Sequence, residues 1–202
     1  VTPAVPTVNG TTTFDATGSS DPDGRIVRFE WAFGDGTTRT TAEPVVEHTY
    51  AAGGNYTLVL TTVDDDEATA MTRSTVRVNH PPSARVSATP PDPRRNETVT
   101  FDATASGDAD GTIVRYDWTF GDGTSVENAG GVVRHTYDAY GTYAGTVTVV
   151  DDDGARVTEG IRVAVENRPP VAAFSVSPFR PKPDRGVQFD ATASRDPDGA
   201  AL

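Results

Sequence analysis

Residues 118–123 read Trp-Thr-Phe-Gly-Asp-Gly, and residues 31–36 carry nearly the same hexapeptide, Trp-Ala-Phe-Gly-Asp-Gly. The tryptophan and the phenylalanine are two positions apart, so in a strand both side chains lie on one face. The Gly-Asp-Gly that follows is a turn signal, because glycine supplies the positive φ that tight hairpins need. The hexapeptide therefore predicts a strand that buries aromatic rings on one face and ends in a tight turn.

The hexapeptide belongs to a longer internal repeat. Copies one and two are offset by 87 residues without a gap, whereas copy three, which holds only the opening blocks, is offset by 88. A shared register of this kind indicates one duplicated module. The other repeated blocks are Phe-Asp-Ala-Thr at 14–17, 101–104 and 189–192, Asp-x-Asp-Gly at 21–24, 108–111 and 196–199, His-Thr-Tyr at 48–50 and 135–137, and Val-Asp-Asp-Asp at 63–66 and 150–153.

The repeat predicts the division of the chain into domains. We expect one module over residues 1–79, which lacks its opening strand, and a second module over residues 80–167. Residues 168–202 correspond to the opening strands of a third module.

Each copy has the pattern of an all-β module. Residues 98–103 alternate apolar and polar side chains, and clusters of Gly, Asp and Pro interrupt such runs about every 8–12 residues, which is typical of a β-sandwich. Nothing in the sequence resembles a helix with caps. One turn is expected to differ between the copies, because Asp153 is followed by Gly154 whereas Asp66 is followed by Glu67.

The composition excludes several classes of protein. There is no cysteine, which rules out disulfides and cysteine-based metal sites. The net charge of −12 argues against nucleic acid as a partner, because phosphate binding needs a basic surface. No apolar run reaches the roughly 18 residues of a membrane span.

The repeated motifs resemble those of the polycystic kidney disease (PKD) domain, an immunoglobulin-like β-sandwich. The resemblance rests on the hexapeptides, the His-Thr-Tyr blocks, the Asp-x-Asp-Gly loops and the Pro-Pro-x-Ala openings at 81–84 and 169–172. The aspartate usual between Trp and Phe is replaced by Ala32 and Thr119. The resemblance implies tandem immunoglobulin-like sandwiches in an extracellular protein, secreted or at the cell surface, without enzymatic activity.

The histidines do not indicate an active site. His48 and His135 occupy equivalent positions, so we interpret them as residues that serve the fold of each copy. No unique polar cluster suggests a nucleophile, a base and an acid that converge on one cleft. We therefore predict no catalytic residues.

Calcium is the cofactor that the sequence favours. Ca²⁺ takes roughly six to eight oxygen ligands, and two aspartates separated by one residue can both face one ion. Some collagenase members of the resembled family bind Ca²⁺ with this loop, an interdomain asparagine and an acidic residue late in the domain. The alternative is that Asp-x-Asp-Gly is only a favourable turn and that the Asp-Asp-Asp runs are hairpin tips. The ligands that the resemblance implies are Asn79, Asp108, Asp110 and Asp151 or Asp152 in copy two, Asp21, Asp23 and Asp64 or Asp65 in copy one, and Asn167, Asp196 and Asp198 in copy three.

Three asparagines match the acceptor pattern for N-glycosylation, and they are Asn9, Asn55 and Asn96. In a source that glycosylates, these are predicted surface sites of a glycoprotein. Threonine is so common in the chain that chance matches are the alternative.

Two classes of function remain open. The first is a non-catalytic structural or adhesive repeat, which forms a semi-rigid stalk or a component of a surface layer or filament, because Pro-Pro linkers favour extended geometry. The alternative is an accessory substrate-binding or spacer region of a secreted hydrolase such as a protease, collagenase or chitinase. Aromatic residues without a counterpart in the other copies, Tyr140 and Phe179, are expected to be exposed.

The predicted partners are neighbouring modules or further copies of the same chain. Copy one lacks the opening strand that copy three supplies, so copies could join head to tail by strand addition. The alternative is that the chain is a slice of a longer array.

Overall fold

The computed structural model describes residues 1–198, and residues 199–202, which include the glycine of the third Asp-x-Asp-Gly loop, lie outside the described residues. The described part of the chain consists of strands and turns, and it contains no helix that could cross a membrane. The strands are β1 Thr11–Asp15, β2 Ile26–Ala32, β3 Thr38–Thr41, β4 Val45–Thr49, β5 Gly54–Asp64, β6 Thr69–Val78, β7 Ser87–Thr89, β8 Thr98–Asp102, β9 Ile113–Thr119, β10 Ser125–Ala129, β11 Val132–Thr136, β12 Gly141–Asp151, β13 Arg156–Val165, β14 Ser175–Ser177 and β15 Gln188–Asp190.

The two copies of the repeat have corresponding sheets, except that the second copy has one more strand, β7, paired with β8. In the first copy, β1 pairs with β4, and a second sheet has the order β3-β2-β5-β6. In the second copy the corresponding sheets are β11-β8-β7 and β10-β9-β12-β13. The predicted all-β sandwich is confirmed, because the sheets are antiparallel and alternate residues of the central strands are buried, such as Phe29 and Trp31 on β2 and Leu58 and Leu60 on β5.

By its contacts the chain divides into two compact units. The first unit comprises Val1–Arg85, Ala105–Tyr116 and Thr148–Thr158, and the second comprises the remaining residues. The first unit therefore holds the whole first copy, the linker after β6, and two loops of the second copy.

The repeated aromatic residues form the cores. In the first copy the ring of Phe14 lies 6.3 Å from that of Trp31 and 5.4 Å from that of Phe33. In the second copy Phe101 makes the equivalent contacts with Trp118 at 6.1 Å and with Phe120 at 5.2 Å. The hexapeptide thus places its two aromatic side chains in the core of each sandwich.

Within residues 1–198, the strands of the third copy are β14 and β15, which pair with each other. Phe189 in this hairpin is 70% exposed, whereas its counterparts Phe14 and Phe101 are 1% exposed. Tyr140 and Phe179 are also exposed, which confirms the expectation for these unrepeated aromatics.

The turn after β5 has the same conformation as the turn after β12, so the predicted difference between them is wrong. Glu67 has a φ of 67° and Gly154 a φ of 85°. The N–H of Glu67 donates to the carbonyl of Asp64 at 3.3 Å, and the N–H of Gly154 donates to the carbonyl of Asp151 at 3.2 Å. The hydrogen bonds of the hairpin impose the positive φ even where glycine is absent.

Replacing Glu67 by glycine is expected to stabilise the first copy by about 0.5–1 kcal/mol, because a side chain in the left-handed region is strained by roughly this amount or more. Urea unfolding of both proteins measures the change. Gly154→Ala is the matched control, and it should destabilise by about 1 kcal/mol although the added methyl group meets nothing within 4 Å. Equal stability of Glu67→Gly and the wild type would contradict the explanation.

Candidate metal centre

Asn79 is the first residue after β6, and the backbone fixes it in place. Its N–H donates to the carbonyl of Pro6 at 2.8 Å, and its carbonyl accepts from the N–H of Val8 at 2.9 Å. The residue is 1% exposed, and its side-chain Nδ2 donates to Oδ2 of Asp151 at 2.8 Å. The interdomain asparagine that the sequence suggested is therefore a buried residue that contacts a buried carboxylate.

Asp151 is the last residue of β12 and is also 1% exposed. Its Oδ1 accepts from the N–H groups of Asp153 at 3.1 Å and Ala155 at 2.7 Å, which closes the turn after the strand. The sequence left Asp151 and Asp152 as alternatives. Oδ1 of Asp152 accepts from the N–H of Thr112 at 2.7 Å, and a role for Asp152 as a ligand stays a prediction.

Asp108 and Asp110 belong to the loop before β9. Both carboxylate oxygens of Asp110 accept from the backbone N–H of His80, at 3.1 and 3.3 Å. Oδ1 of Asp108 accepts from the N–H of Asp110 at 3.4 Å. We call Asn79, Asp108, Asp110 and Asp151 the junction cluster; all four lie in the first compact unit.

Two buried oxygens of the junction cluster have no hydrogen-bond donor within the described part of the chain. They are Oδ2 of Asp108 and Oδ1 of Asn79. A buried acceptor without a donor costs free energy, so each such atom needs an explanation. A bound cation is one partner that such carboxylate and amide oxygens accept.

The electrostatics of the junction cluster also favour a cation. Burial raises the pKa of Asp108, and the negative charges of Asp151 and Asp110 raise it further, against the hydrogen bond from the Asp110 N–H. Carboxylates that share a site without a counter-charge repel one another. A divalent cation would remove this repulsion.

The donor set suits Ca²⁺, because carboxylate and amide oxygens are the ligands this ion takes. Within residues 1–198, however, no three His, Asp or Glu side chains are already arranged to hold a metal ion. Asp110 and Asp151 use oxygens to accept from His80 and Asn79. A cation would therefore have to replace some of these hydrogen bonds.

The equivalent residues of the first copy form the same loops. Oδ1 of Asp21 accepts from the N–H of Asp23 at 3.4 Å, and Oδ1 of Asp64 accepts from the N–H groups that follow it. Asp21 and Asp64 also line one surface pocket. Among the described residues, neither these two nor Asp23 has a buried oxygen without a partner.

In the third copy, the residue that corresponds to Asn79 is not the predicted Asn167 but the residue before it, Glu166. The N–H of Glu166 donates to the carbonyl of Pro93 at 2.8 Å. Glu166 also forms a parallel bridge with Arg94, just as Asn79 forms one with Thr7. Glu166 therefore occupies the position equivalent to Asn79, and Asn167 is exposed. The extra linker residue lies after the last bridge of the strand, so the register is kept up to Glu166.

The other two candidates of the third copy lie in one loop. Oδ1 of Asp196 accepts from the N–H of Asp198 at 2.8 Å. Asp198 is buried, and Arg168 forms a salt bridge with it at 2.8 Å. A role for Asn167, Asp196 and Asp198 as calcium ligands stays a prediction.

The three glycosylation candidates, Asn9, Asn55 and Asn96, are exposed. Asn9 and Asn96 occupy equivalent turns, with φ values of 59° and 61°. Their modification stays a prediction.

Each repeated histidine pairs with an aspartate that the sequence had suggested only as a turn residue. Nε2 of His48 lies 2.7 Å from Oδ2 of Asp35, and Nε2 of His135 lies 2.6 Å from Oδ2 of Asp122. The His48 ring also stacks on Phe33 at 4.0 Å. The available signal was the repeat itself, since both partners recur in one register.

Comparison with known proteins agrees with this architecture. The PKD domain family matches residues 2–78 and 79–165. The pre-pro-metalloprotease PrtV of Vibrio cholerae is 33% identical over 156 residues, which are 77% of this chain and 16% of that protein. The collagenase ColA of Clostridium perfringens is 32% identical over 141 residues, which are 69% of this chain and 12% of that protein.

A solved structure gives a similar match. The PKD1 domain of the Vibrio cholerae metalloprotease PrtV is 31% identical, covers 43% of this chain and 98% of that domain, and has a TM-score of 0.37. This chain spans less than a fifth of the length of the two curated relatives. The family match extends over most of the chain and over both complete copies of the repeat. The chain therefore belongs to the PKD domain family and contains this non-catalytic module in tandem.

Proposed function

We propose that this chain is a non-catalytic extracellular spacer segment whose junction cluster binds Ca²⁺. The observation that carries the proposal is the pair of buried oxygens without donors, Oδ2 of Asp108 and Oδ1 of Asn79. When bound, the cation supplies positive charge to three carboxylates and coordination to these oxygens.

The chain's own residues hold the linker in the absence of any ion. The Asn79 side chain joins the end of β6 to the turn after β12, and the backbone N–H of His80 joins the linker to Asp110. Arg77 adds a salt bridge to Asp153 at 2.5 Å. Pro81 and Pro82 follow directly and favour extended backbone. These contacts support a semi-rigid spacer that calcium stiffens further.

Thermal unfolding in EGTA and in added Ca²⁺ tests the proposal. At a Ca²⁺ concentration about 100 times the Kd, binding contributes about 2.7 kcal/mol. For modules of this size that corresponds to a rise in Tm of about 10–20 °C. Isothermal titration calorimetry gives the stoichiometry.

Variants locate the ion. Asp108→Asn should abolish the rise in Tm, because it removes a charged ligand from the junction cluster. Asp21→Asn, the same change at the equivalent loop of the first copy, should keep the rise. If the wild type shows no shift in Tm and no heat of binding with Ca²⁺, the calcium proposal is wrong.

A second candidate function is an accessory region of a secreted hydrolase. The identity to a metalloprotease and to a collagenase supports it. In this case the chain would bind an insoluble polymer, and Tyr140 is an exposed aromatic side chain within the second copy that is available for contact. Cosedimentation with insoluble collagen tests this, and binding that Tyr140→Ala leaves unchanged would contradict the role of that residue.

Self-association by strand addition stays a prediction. Size-exclusion chromatography with multi-angle light scattering measures the mass, and a monomer at high concentration would contradict a filament.

A further inference from the structure

The loop at Asp196–Asp198 binds the chain after β13 in the same way as the junction cluster binds the chain after β6. The backbone N–H of His80 donates to the carboxylate of Asp110 at 3.1 Å. The backbone N–H of Arg168 donates to Oδ2 of Asp198 at 2.5 Å. His80 and Arg168 are therefore structural equivalents, and each precedes a Pro-Pro pair.

The side chains of these two residues take different directions. The His80 ring turns away from its loop and accepts from the N–H of Gly53 at 3.1 Å. The Arg168 guanidinium turns into its loop, where Nε donates to Oδ1 of Asp198 at 2.8 Å and a terminal nitrogen donates to the carbonyl of Pro197 at 2.9 Å. The loop at Asp198 thus receives the positive charge of Arg168, whereas the His80 ring contacts Gly53 instead of the loop at Asp110.

A second arginine reinforces the third copy's loop. A terminal nitrogen of Arg95 donates to the backbone carbonyl of Asp198, and Nε of Arg95 donates to the carbonyl of Asp138. The Asp198 side chain is only 2% exposed, so its charge needs a partner within the protein. All of these residues lie in the second compact unit.

The two loops differ in charge balance. At Asp198, Nε of Arg168 donates to Oδ1 of the carboxylate at 2.8 Å. At Asp108, Oδ2 is buried and accepts no hydrogen bond within the described part of the chain. The buried amide oxygen of Asn79 also has no counterpart, because exposed Glu166 holds that position. Among the residues that the structure describes, neither Asp196 nor Asp198 has a buried side-chain oxygen without a hydrogen-bond partner.

We propose that Arg168 acts as a built-in cation, which holds the Asp196–Asp198 loop without calcium while the junction cluster uses Ca²⁺. The inference rests on the proposed function of the junction cluster. It assigns different regulation to two loops of the same repeat: removal of calcium would loosen the linker at Asn79 and leave the linker at Arg168 unchanged.

Hydrogen–deuterium exchange of the full chain, in EGTA and in Ca²⁺, reads the two loops separately. In the wild type, Ca²⁺ should slow exchange in residues 105–112 and 148–155 and leave the amides of Val171 and Arg195 unchanged. These two amides report the third copy's loop because they donate to each other's carbonyls, at 2.7 and 3.0 Å.

Arg168→Gln tests the built-in cation directly. Exchange at Val171 and Arg195 should become about tenfold faster, in EGTA and in Ca²⁺ alike, because a charge-assisted pair is lost. Arg180→Gln removes the same charge from an exposed position and should leave these amides unchanged. An Arg168→Gln effect no larger than that of Arg180→Gln overturns the assignment.

The converse change is made in the junction cluster. His80→Arg offers a guanidinium to Asp110, and it should weaken calcium binding by about tenfold. His80→Gln loses the imidazole without adding charge and should keep the wild-type affinity. Equal affinities of the two variants overturn the assignment.

The outcomes separate this inference from the proposed function. No calcium protection in residues 105–112 and 148–155 overturns the calcium site itself. Calcium protection in both loops supports the site and overturns the role of Arg168.

Discussion

Trp118→Ala is expected to lower the free energy of unfolding of the second module by about 4 kcal/mol, in the range for buried aromatic residues changed to alanine. Trp118 is buried, its ring lies against Phe101, and Nε1 donates to the carbonyl of Gly130 at 3.2 Å. The change leaves a cavity between the two sheets and removes the donor from that carbonyl. Both effects destabilise the module.

Urea unfolding followed by circular dichroism measures the loss. The fluorescence of Trp31, the other tryptophan of the chain, reports the first module in the same sample. The urea midpoint reported by Trp31 should move less than the midpoint of the circular dichroism change that comes from the second module. Val114→Ala is the matched control on β9, and because Val114 is exposed its effect should stay within about 0.5 kcal/mol. A loss of less than 1 kcal/mol for Trp118→Ala would contradict the structure of this core.

The burial of Trp118 and Phe120 could be predicted from the sequence. Alternation of side chains follows from strand geometry alone, and the repeat shows which strands are equivalent. The same local reasoning identified the all-β fold and the family, which the structure and the comparisons confirm.

Contacts between distant residues could not be predicted in this way. Asn79 and Asp151 are 72 positions apart, and Arg168 and Asp198 are 30 positions apart. The sequence suggested the residue types at the junction cluster, but it could not indicate which oxygens lack a donor. The sequence also suggested Asn167 as the counterpart of Asn79, whereas Glu166 holds that position. The sequence alone does not show whether an inserted residue lies before or after the last bridge of a strand.

Acid is expected to lower the free energy of unfolding of both modules, and Asp35 and Asp122 are the residues responsible. Burial alone would raise the pKa of Asp122, but hydrogen bonds from the hydroxyl and N–H of Thr124 and from His135 outweigh it and lower the pKa to about 2. The same arrangement with Thr37 and His48 lowers the pKa of Asp35 to about 2.

The direction of the effect follows from proton linkage. A carboxyl group whose pKa in the folded state lies below its ordinary value of 3.8 stabilises the fold at every pH above about 4. This stability is lost as the pH falls from about 4 towards 2. The difference of nearly two pKa units corresponds to about 2 kcal/mol per module. Little of it should be lost to solvent screening, because the Asp122 side chain is only 19% exposed.

Urea unfolding between pH 5 and pH 2.5 measures the loss, and Trp31→Phe leaves Trp118 as the single tryptophan of the chain. In that background Asp122→Asn should cost about 2 kcal/mol at pH 5 and flatten the pH dependence, because the linked proton is removed. Asp35→Asn, the same change in the first module, should leave the transition seen by Trp118 with its wild-type dependence. If the second module remains as sensitive to acid after Asp122→Asn as before it, the hydrogen bonds of Asp122 are not the origin of that sensitivity.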